Sequence, residues 1–513
     1  MALDPRTPVL VGVGQVTVRP DPSVPLDHRP EPFEVMARAL RAAAEDCTGA
    51  PPGGTSAAGE RLLRRAQSLR VVGPLGWRVV NPGPVVAAKL GIDPAEHVLT
   101  NVGGTMPQSL LHQSALAVAR GDLDVVLVTG AECWYTRAAA RRHPDGPPLH
   151  WTVQSKERTP APVLFGTDRA PATAFEEARG IRLPIHAYPL MENAIRSASG
   201  WTVPEHRDRI GVLWSAFSHV AETNPYAWLP RAMTPDEVTG PGPANRMVAF
   251  PYPKLCVANI QVDQGAAYIC CSVEAARAAG VPENRWVFPH TGADAHDHWY
   301  LSDRPELHRS PALRLVGRRA LALAGVGSDD LAAVDLYSCF PCVVQIAAEE
   351  LGLPLDDPTR PLTLTGGLTF GGGPGNNYVS HSIAAMVHRL RSTPDGVGLI
   401  TGIGWYATKH AAGVYGTNPP DGGFRWEDVQ PEVDALPRCP VDPDATGTVV
   451  VETYTVTYHH DGAPDLGIVA CRTPGGARTW ANVRDPDDVS ALVASDPIGR
   501  PGTLDGSGVV SLA

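Results

Sequence analysis

Short uninterrupted apolar runs alternate along this chain with longer stretches whose apolar residues recur every three or four positions, the pattern of buried strands interleaved with amphipathic helices. Residues 8–14 read as a strand, and residues 32–47 as a helix through Phe33, Met36, Ala37, Leu40 and Ala44. A second strand is predicted over 66–72, a short helix over 84–90, and a third strand over 97–101 that ends at a glycine-rich turn; a helix over 108–120 and a strand over 124–129 follow. The second half repeats this order. A strand over 334–337 precedes a helix over 343–351, a strand over 362–364, a glycine loop at 371–377, a helix over 378–390 and a strand over 397–401. In both halves the last apolar strand ends in Thr-Gly, at Thr129-Gly130 and at Thr401-Gly402. Two related α/β halves follow from this repetition.

Residues 134–245 lie between the repeats as an excursion rich in Pro, Arg and aromatics, with helices over 191–199 and 204–223, and an insertion of that kind is expected to cover a site. After residue 416 comes a Pro/Gly linker. Alternation through Val449, Val451, Thr453, Thr455 and Thr457, a turn at Asp461-Gly462 and a further run over 466–472 then predict a small β-barrel. The domains read from the sequence are therefore 1–133, 134–245, 246–416 and 417–513.

Composition narrows the function. At 513 residues with 43% hydrophobic and 19% charged positions, the chain exceeds the size of a single core. No apolar run approaches the roughly 20 residues of a membrane helix, and the start from Met1 to Pro5 lacks a charged segment leading into an apolar stretch. A cytoplasmic protein without a membrane role is expected. The net charge of −11 and the absence of a basic cluster speak against nucleic acid. Nine scattered cysteines argue for buried free thiols and against a disulfide framework or a metal site. His290, His296 and His298 with Asp294 and Asp297 lack ligand spacing and read as a solvated loop.

Six segments, in order and across nearly the whole chain, resemble the thiolase superfamily, and specifically thiolase-like proteins of type 1 with an additional C-terminal domain. They are Val-Gly-Val-Gly-Gln at 11–15, Thr-Asn-Val-Gly-Gly-Thr-Met-Pro-Gln at 100–108, Tyr-Pro-Leu-Met-Glu-Asn-Ala at 188–194, Val-Asp-Gln-Gly-Ala-Ala at 262–267, Asp-Leu-Tyr-Ser-Cys-Phe-Pro at 335–341 and Gly-Gly-Leu-Thr-Phe-Gly-Gly-Gly-Pro at 366–374. The resemblance implies a five-layered αβαβα fold with a loop insertion and an OB-like barrel, coenzyme A or an acyl-CoA as ligand with no required cofactor, and a homodimer. It also implies where catalysis would reside. The nucleophilic cysteine falls on Gly104, the loop histidine on Gly373, the strand polar group on Tyr337 and the acid/base cysteine on Gly402, so every reactive side chain is replaced. Glycine supplies no thiolate, and conventional thiolase activity is expected to be absent. The main-chain N–H groups of Gly104 and Gly404 correspond to the oxyanion donors, which do not depend on side chains.

Around these positions the sequence offers Tyr337 as a proton donor, Asn376 and Asn377 as helix caps or ligand contacts, and His381 one turn further on. Cys339 matches a position that is not the nucleophile and reads as an inert thiol. Three functions remain open at this point: a protein that binds an acyl-CoA without thiolase chemistry, a carbon–carbon lyase of retro-aldol type acting on a CoA-linked side chain, and a non-catalytic interaction protein.

Overall fold

The computed structural model describes residues 3–50, 53–54, 56–143 and 149–512; Met1 and Ala2, the first residues of the start segment, lie outside it. Two mixed sheets face each other across a layer of helices. The first sheet has the order Pro8–Thr17, Asp263–Ser272, Val125–Cys133, Ser68–Val71, Glu96–Thr100, Val163–Phe165. The second runs Ala333–Asp335, Val397–Gly404, Lys409–Gly416, Phe288–His296, Arg425–Asp428. The helices Met106–Arg120 and Tyr378–Arg391 pack against strands of both sheets and against each other. Their first and middle turns are buried almost all round, as a helix between two sheets must be. The outer layers are amphipathic instead: Pro32–Asp46 buries Phe33, Met36, Leu40 and Ala43 on the first sheet, and Pro311–Ala324 buries Leu313, Val316 and Ala320 on the second.

Strands cross two of the divisions drawn from the sequence. Asp263–Ser272, placed there with the second half, joins the first sheet antiparallel to Pro8–Thr17 and Val125–Cys133. It is buried along its whole length because it lies inside the sheet. Arg425–Asp428, placed in the linker, extends the second sheet in parallel with Phe288–His296. The histidine and aspartate segment at 290–298 is thus largely strand and not the solvated loop expected. Its carboxylates are tied up: Asp294 accepts from His112, Ser109 and the Trp426 indole, and Asp297 accepts from Ser310. Among the described residues no group of three metal-ligating side chains is found.

The strand expected at 362–364 is absent. Leu336 donates to the Leu362 carbonyl at 2.9 Å, but the next main-chain donor, Leu364 N–H, is taken by the Asp335 carboxylate at 2.7 Å, and no ladder forms. Burial raises the Asp335 carboxyl to about 6 despite these bonds.

The C-terminal strands Gly447–Tyr458, Pro464–Arg472, Arg478–Val483, Pro501–Leu504 and Val510–Leu512 form an antiparallel sheet. Its two ends meet through a bridge between Asn482 and Val509, which curls it into a small barrel. A separate core of Val449, Tyr454, Val469, Val483 and Leu492 fills it. Arg478 holds the barrel to the body. Fully buried, it pairs with Glu452 at 2.6 Å and donates to the carbonyls of Leu301 and Ser302, while Trp480 donates to the Ser302 hydroxyl. All nine cysteines are free and buried, and among the described residues no helix is long and apolar enough to cross a membrane.

Candidate functional site

The turn Gly103–Gly104–Thr105 leads from the strand Glu96–Thr100 into the helix Met106–Arg120. Thr105 occupies the cap position, yet its side chain makes no capping bond; its hydroxyl is buried and has no partner. The Gly104 N–H likewise donates to no acceptor among the described residues. Two polar groups at a helix N-terminus are therefore unsatisfied, where the helix dipole adds to their attraction for an electronegative atom.

Gly104 has no room for a side chain. A Cβ there would overlap the Tyr337 hydroxyl and the Ile403 carbonyl oxygen. Tyr337 lies two residues beyond the strand Ala333–Asp335, with its N–H bonded to the Thr401 hydroxyl at 3.0 Å and its ring edge-on to Tyr378. Burial drives its phenol well above its ordinary range, so it is a weaker acid than the free side chain.

The opposite wall is the hairpin between Val397–Gly404 and Lys409–Gly416. A Cβ on Gly402 would stand 3.1 Å from the Thr105 Cα, and one on Gly404 would stand 3.4 Å from the Gly104 nitrogen. Glycines at 402 and 404 thus let the hairpin approach the turn closely. Trp405 and Ala407 both adopt left-handed backbone conformations, each a local cost of order 1 kcal/mol. The Tyr188 hydroxyl clamps that corner, donating to the Trp405 carbonyl at 2.6 Å and accepting from the Ala407 N–H at 3.0 Å.

The structure brings Asn376 to this site and keeps Asn377 close behind it, although neither caps the following helix. Asn376 accepts from the Gly103 N–H at 2.9 Å and donates to the Gly73 carbonyl at 2.7 Å. Asn377 donates to the Gly130 carbonyl at 2.6 Å and accepts from Ser380. Both side chains serve main-chain groups of the first half, which is why they are unavailable as caps.

Two expected residues are not brought to the turn. Gly373 donates to the Asn259 carbonyl, and its nearest neighbours are Asn259 and Leu368. His381 bonds Gln15 at 2.9 Å with its other nitrogen unpartnered, and burial lowers it to about 3, so the ring is neutral. Cys339 is buried as expected, its thiol pushed up to about 12.

Three residues near the site were not singled out from the sequence. Thr105 carried a signal, as a threonine directly before an amphipathic helix. Lys409 carried none: its ammonium donates to the carbonyls of Val102 at 2.8 Å and Thr167 at 3.0 Å, its stem runs beside Gly103 and Gly404, and burial lowers it to about 8. Glu132, at the end of Val125–Cys133, accepts from Leu75 and Gly76 N–H groups at 2.5 and 2.9 Å, and burial raises it to about 7. A cavity of about 190 Å³ opens between Gly73, Asn101, Val102 and Asn376, with Arg78 and Asp168 on its wall. That volume suits the reactive end of a ligand and not a whole coenzyme, given that sites for drug-sized ligands run to about 300–1,000 Å³.

Known proteins place this arrangement. The family model for the thiolase-like protein type 1 additional C-terminal domain matches residues 428–508, which include the first four of the five strands of the barrel. A monomeric SCP2-thiolase-like protein type 1 from Mycobacterium smegmatis is 35% identical, each chain covering 100% of the other, with a TM-score of 0.82. At lower identity the fold alone is shared. A structure described as an Ltp2-ChsH2(DUF35) aldolase is 20% identical over 80% of this chain and 98% of its own, with a TM-score of 0.56. A thiolase from Ascaris suum in complex with coenzyme A is 14% identical over 80% and 99%, with a TM-score of 0.54. No curated protein matches. Identity along the full length, together with the matched barrel, shows that the chain belongs to the SCP2-thiolase-like proteins of type 1.

Proposed function

We propose that the chain binds a coenzyme A thioester with its carbonyl oxygen at the Gly104 N–H and the Thr105 hydroxyl, and that it does not perform the thiolase reaction. One juxtaposition carries this reading: polar groups without partners line the turn, while the Tyr337 hydroxyl fills the space a nucleophilic side chain at 104 would need. Acyl transfer requires a thiolate in contact with the acyl carbon, and the position that would supply one is closed to any side chain. Removing a catalytic nucleophile costs roughly 10⁶ in rate in a well-studied protease, and a loss of that scale is expected here. Two donors at a helix N-terminus still fit a polarised carbonyl. The Lys409 ammonium, bonded to the Val102 carbonyl, keeps positive charge beside the turn. The same reading places the protein in the cytoplasm, among coenzyme A thioesters of lipid metabolism.

Titration calorimetry with acetyl-CoA and free coenzyme A tests it. Binding is expected in the parent and is expected to weaken about tenfold in Thr105→Val, equivalent to about 1.4 kcal/mol, while acetoacetyl-CoA thiolysis stays at background. Were neither compound at millimolar concentration to raise the melting temperature, the binding reading would be lost.

The position of Tyr337 favours a second reading, a carbon–carbon lyase acting on a β-hydroxyacyl-CoA. A phenol held at the vacated nucleophile position can donate a hydrogen bond to a substrate oxygen, although its raised pKa makes it a poor base. Cleavage of a β-hydroxyacyl-CoA that disappears in Tyr337→Phe would support it. Cleavage unchanged in that variant would remove Tyr337 from the chemistry.

A further inference from the structure

A second cavity, of about 430 Å³, lies where the C-terminal barrel meets the insertion, away from the residues of the Gly104 turn. Four arginines line it, Arg179, Arg182, Arg246 and Arg484, together with His186. Among the described residues none of the four has a carboxylate within 4.0 Å. Main-chain carbonyls hold three of them: Arg179 donates to Trp480 and Ser507, Arg182 to Glu177, and Arg246 to Met247. Such bonds fix a guanidinium in place without neutralising it. The single carboxylate on the wall, Asp465, already accepts from the Thr457 hydroxyl at 3.1 Å and lies 3.4 Å from His459. In a chain of net charge −11, four uncompensated arginines around one cavity are a local reversal of sign. Leu466 and Ile468 add an apolar wall to this polar rim.

We propose that this cavity binds a phosphorylated small molecule, a diphosphate or polyphosphate ester with a compact apolar portion. Guanidinium forks match the paired oxygens of phosphate groups, and binding replaces water around several fixed charges at once. The volume falls within the range of small-molecule sites. The negative charge of the rest of the chain disfavours a long polyanion running past the cavity mouth. This site is independent of the thioester reading, since none of its lining residues belongs to the Gly104 turn.

The test is titration of the full chain with inorganic pyrophosphate at ionic strength held constant with sodium chloride. Saturable binding is expected, weakened at least tenfold in Arg182→Ala/Arg484→Ala, whose two side chains are exposed and carry no core packing. Asp465→Asn, which removes the one opposing charge, is expected to tighten binding several-fold, a gain that misfolding cannot produce. Acetyl-CoA binding at Thr105 is expected to be the same in all three proteins, so loss of one site is distinguishable from loss of the other. Pyrophosphate binding equal in parent and double variant, or no greater than that of chloride, overturns the proposal. Tighter capture of a single-stranded oligonucleotide than of pyrophosphate overturns it as well, in favour of an extended polyanion surface.

Discussion

The two halves of the thiolase-like body enter their central helices by similar turns and treat the polar atoms there in opposite ways. In the second half, Asn376 and Asn377 precede the helix Tyr378–Arg391, and both their oxygens and their nitrogens are bonded. In the first half, Gly104 and Thr105 precede the helix Met106–Arg120 with a free N–H and a buried hydroxyl without a partner. The second half has become scaffold for the first. A buried unsatisfied group costs about 1–3 kcal/mol, so the open turn is the one at which a bound oxygen would recover that cost.

The joint between the halves yields the largest expected effect. Glu132 belongs to the first half but packs against Gly375 of the second, and its carboxyl is raised to about 7 from an ordinary 4.5. A raised folded-state pKa contributes stability that is complete below pH 4.5 and is lost as the pH climbs through 7. The loss is on the order of 3 kcal/mol. Urea unfolding of Glu132→Gln between pH 4.5 and 8 is expected to show that slope removed; a slope identical to the parent's would mean that the carboxylate is better solvated than its burial implies.

Next in size is Gly104→Cys, the substitution that nominally restores a thiolase nucleophile. Because the Ile403 carbonyl is main chain and cannot swing aside, the new side chain is expected to cost about 2 kcal/mol as overpacking and to gain no thiolysis. An undestabilised variant would show that the two sheets part readily at this point.

Two further substitutions set the halves against each other directly. Asn377→Ala strands the Gly130 carbonyl and is expected to cost about 1–2 kcal/mol. Thr105→Val removes a buried hydroxyl that bonds nothing and is expected to raise stability by about 1 kcal/mol while weakening acyl-CoA binding. Equal costs for the pair would erase the distinction between filled and open turns.

Much of the architecture was legible because it rests on periodicity. The helices at 32–46, 106–120 and 378–391 and the strands that flank them follow from apolar spacing, and the repeat announced two sheets. What failed did so through partners distant in sequence. Residues 362–364 look like a strand until the Asp335 carboxylate takes a main-chain donor, and the acidic segment at 290–298 looks solvated until His112 and Ser310 cover it. At the site, the sequence itself offers glycines at 104, 373 and 402, where the resemblance expects reactive side chains. That Tyr337 fills the space beside Gly104, that His381 is locked to Gln15, and that Lys409 reaches the Val102 carbonyl depend on side-chain directions that no local pattern encodes.

The clasp formed by Arg478 bears on how this protein can be taken apart. Cutting the chain ahead of the barrel would uncover the carbonyls of Leu301 and Ser302, the Ser302 hydroxyl and the surface under Trp480, all now shielded from water. The appended module is therefore less a detachable accessory than a plug, and the body was shaped with the plug in place.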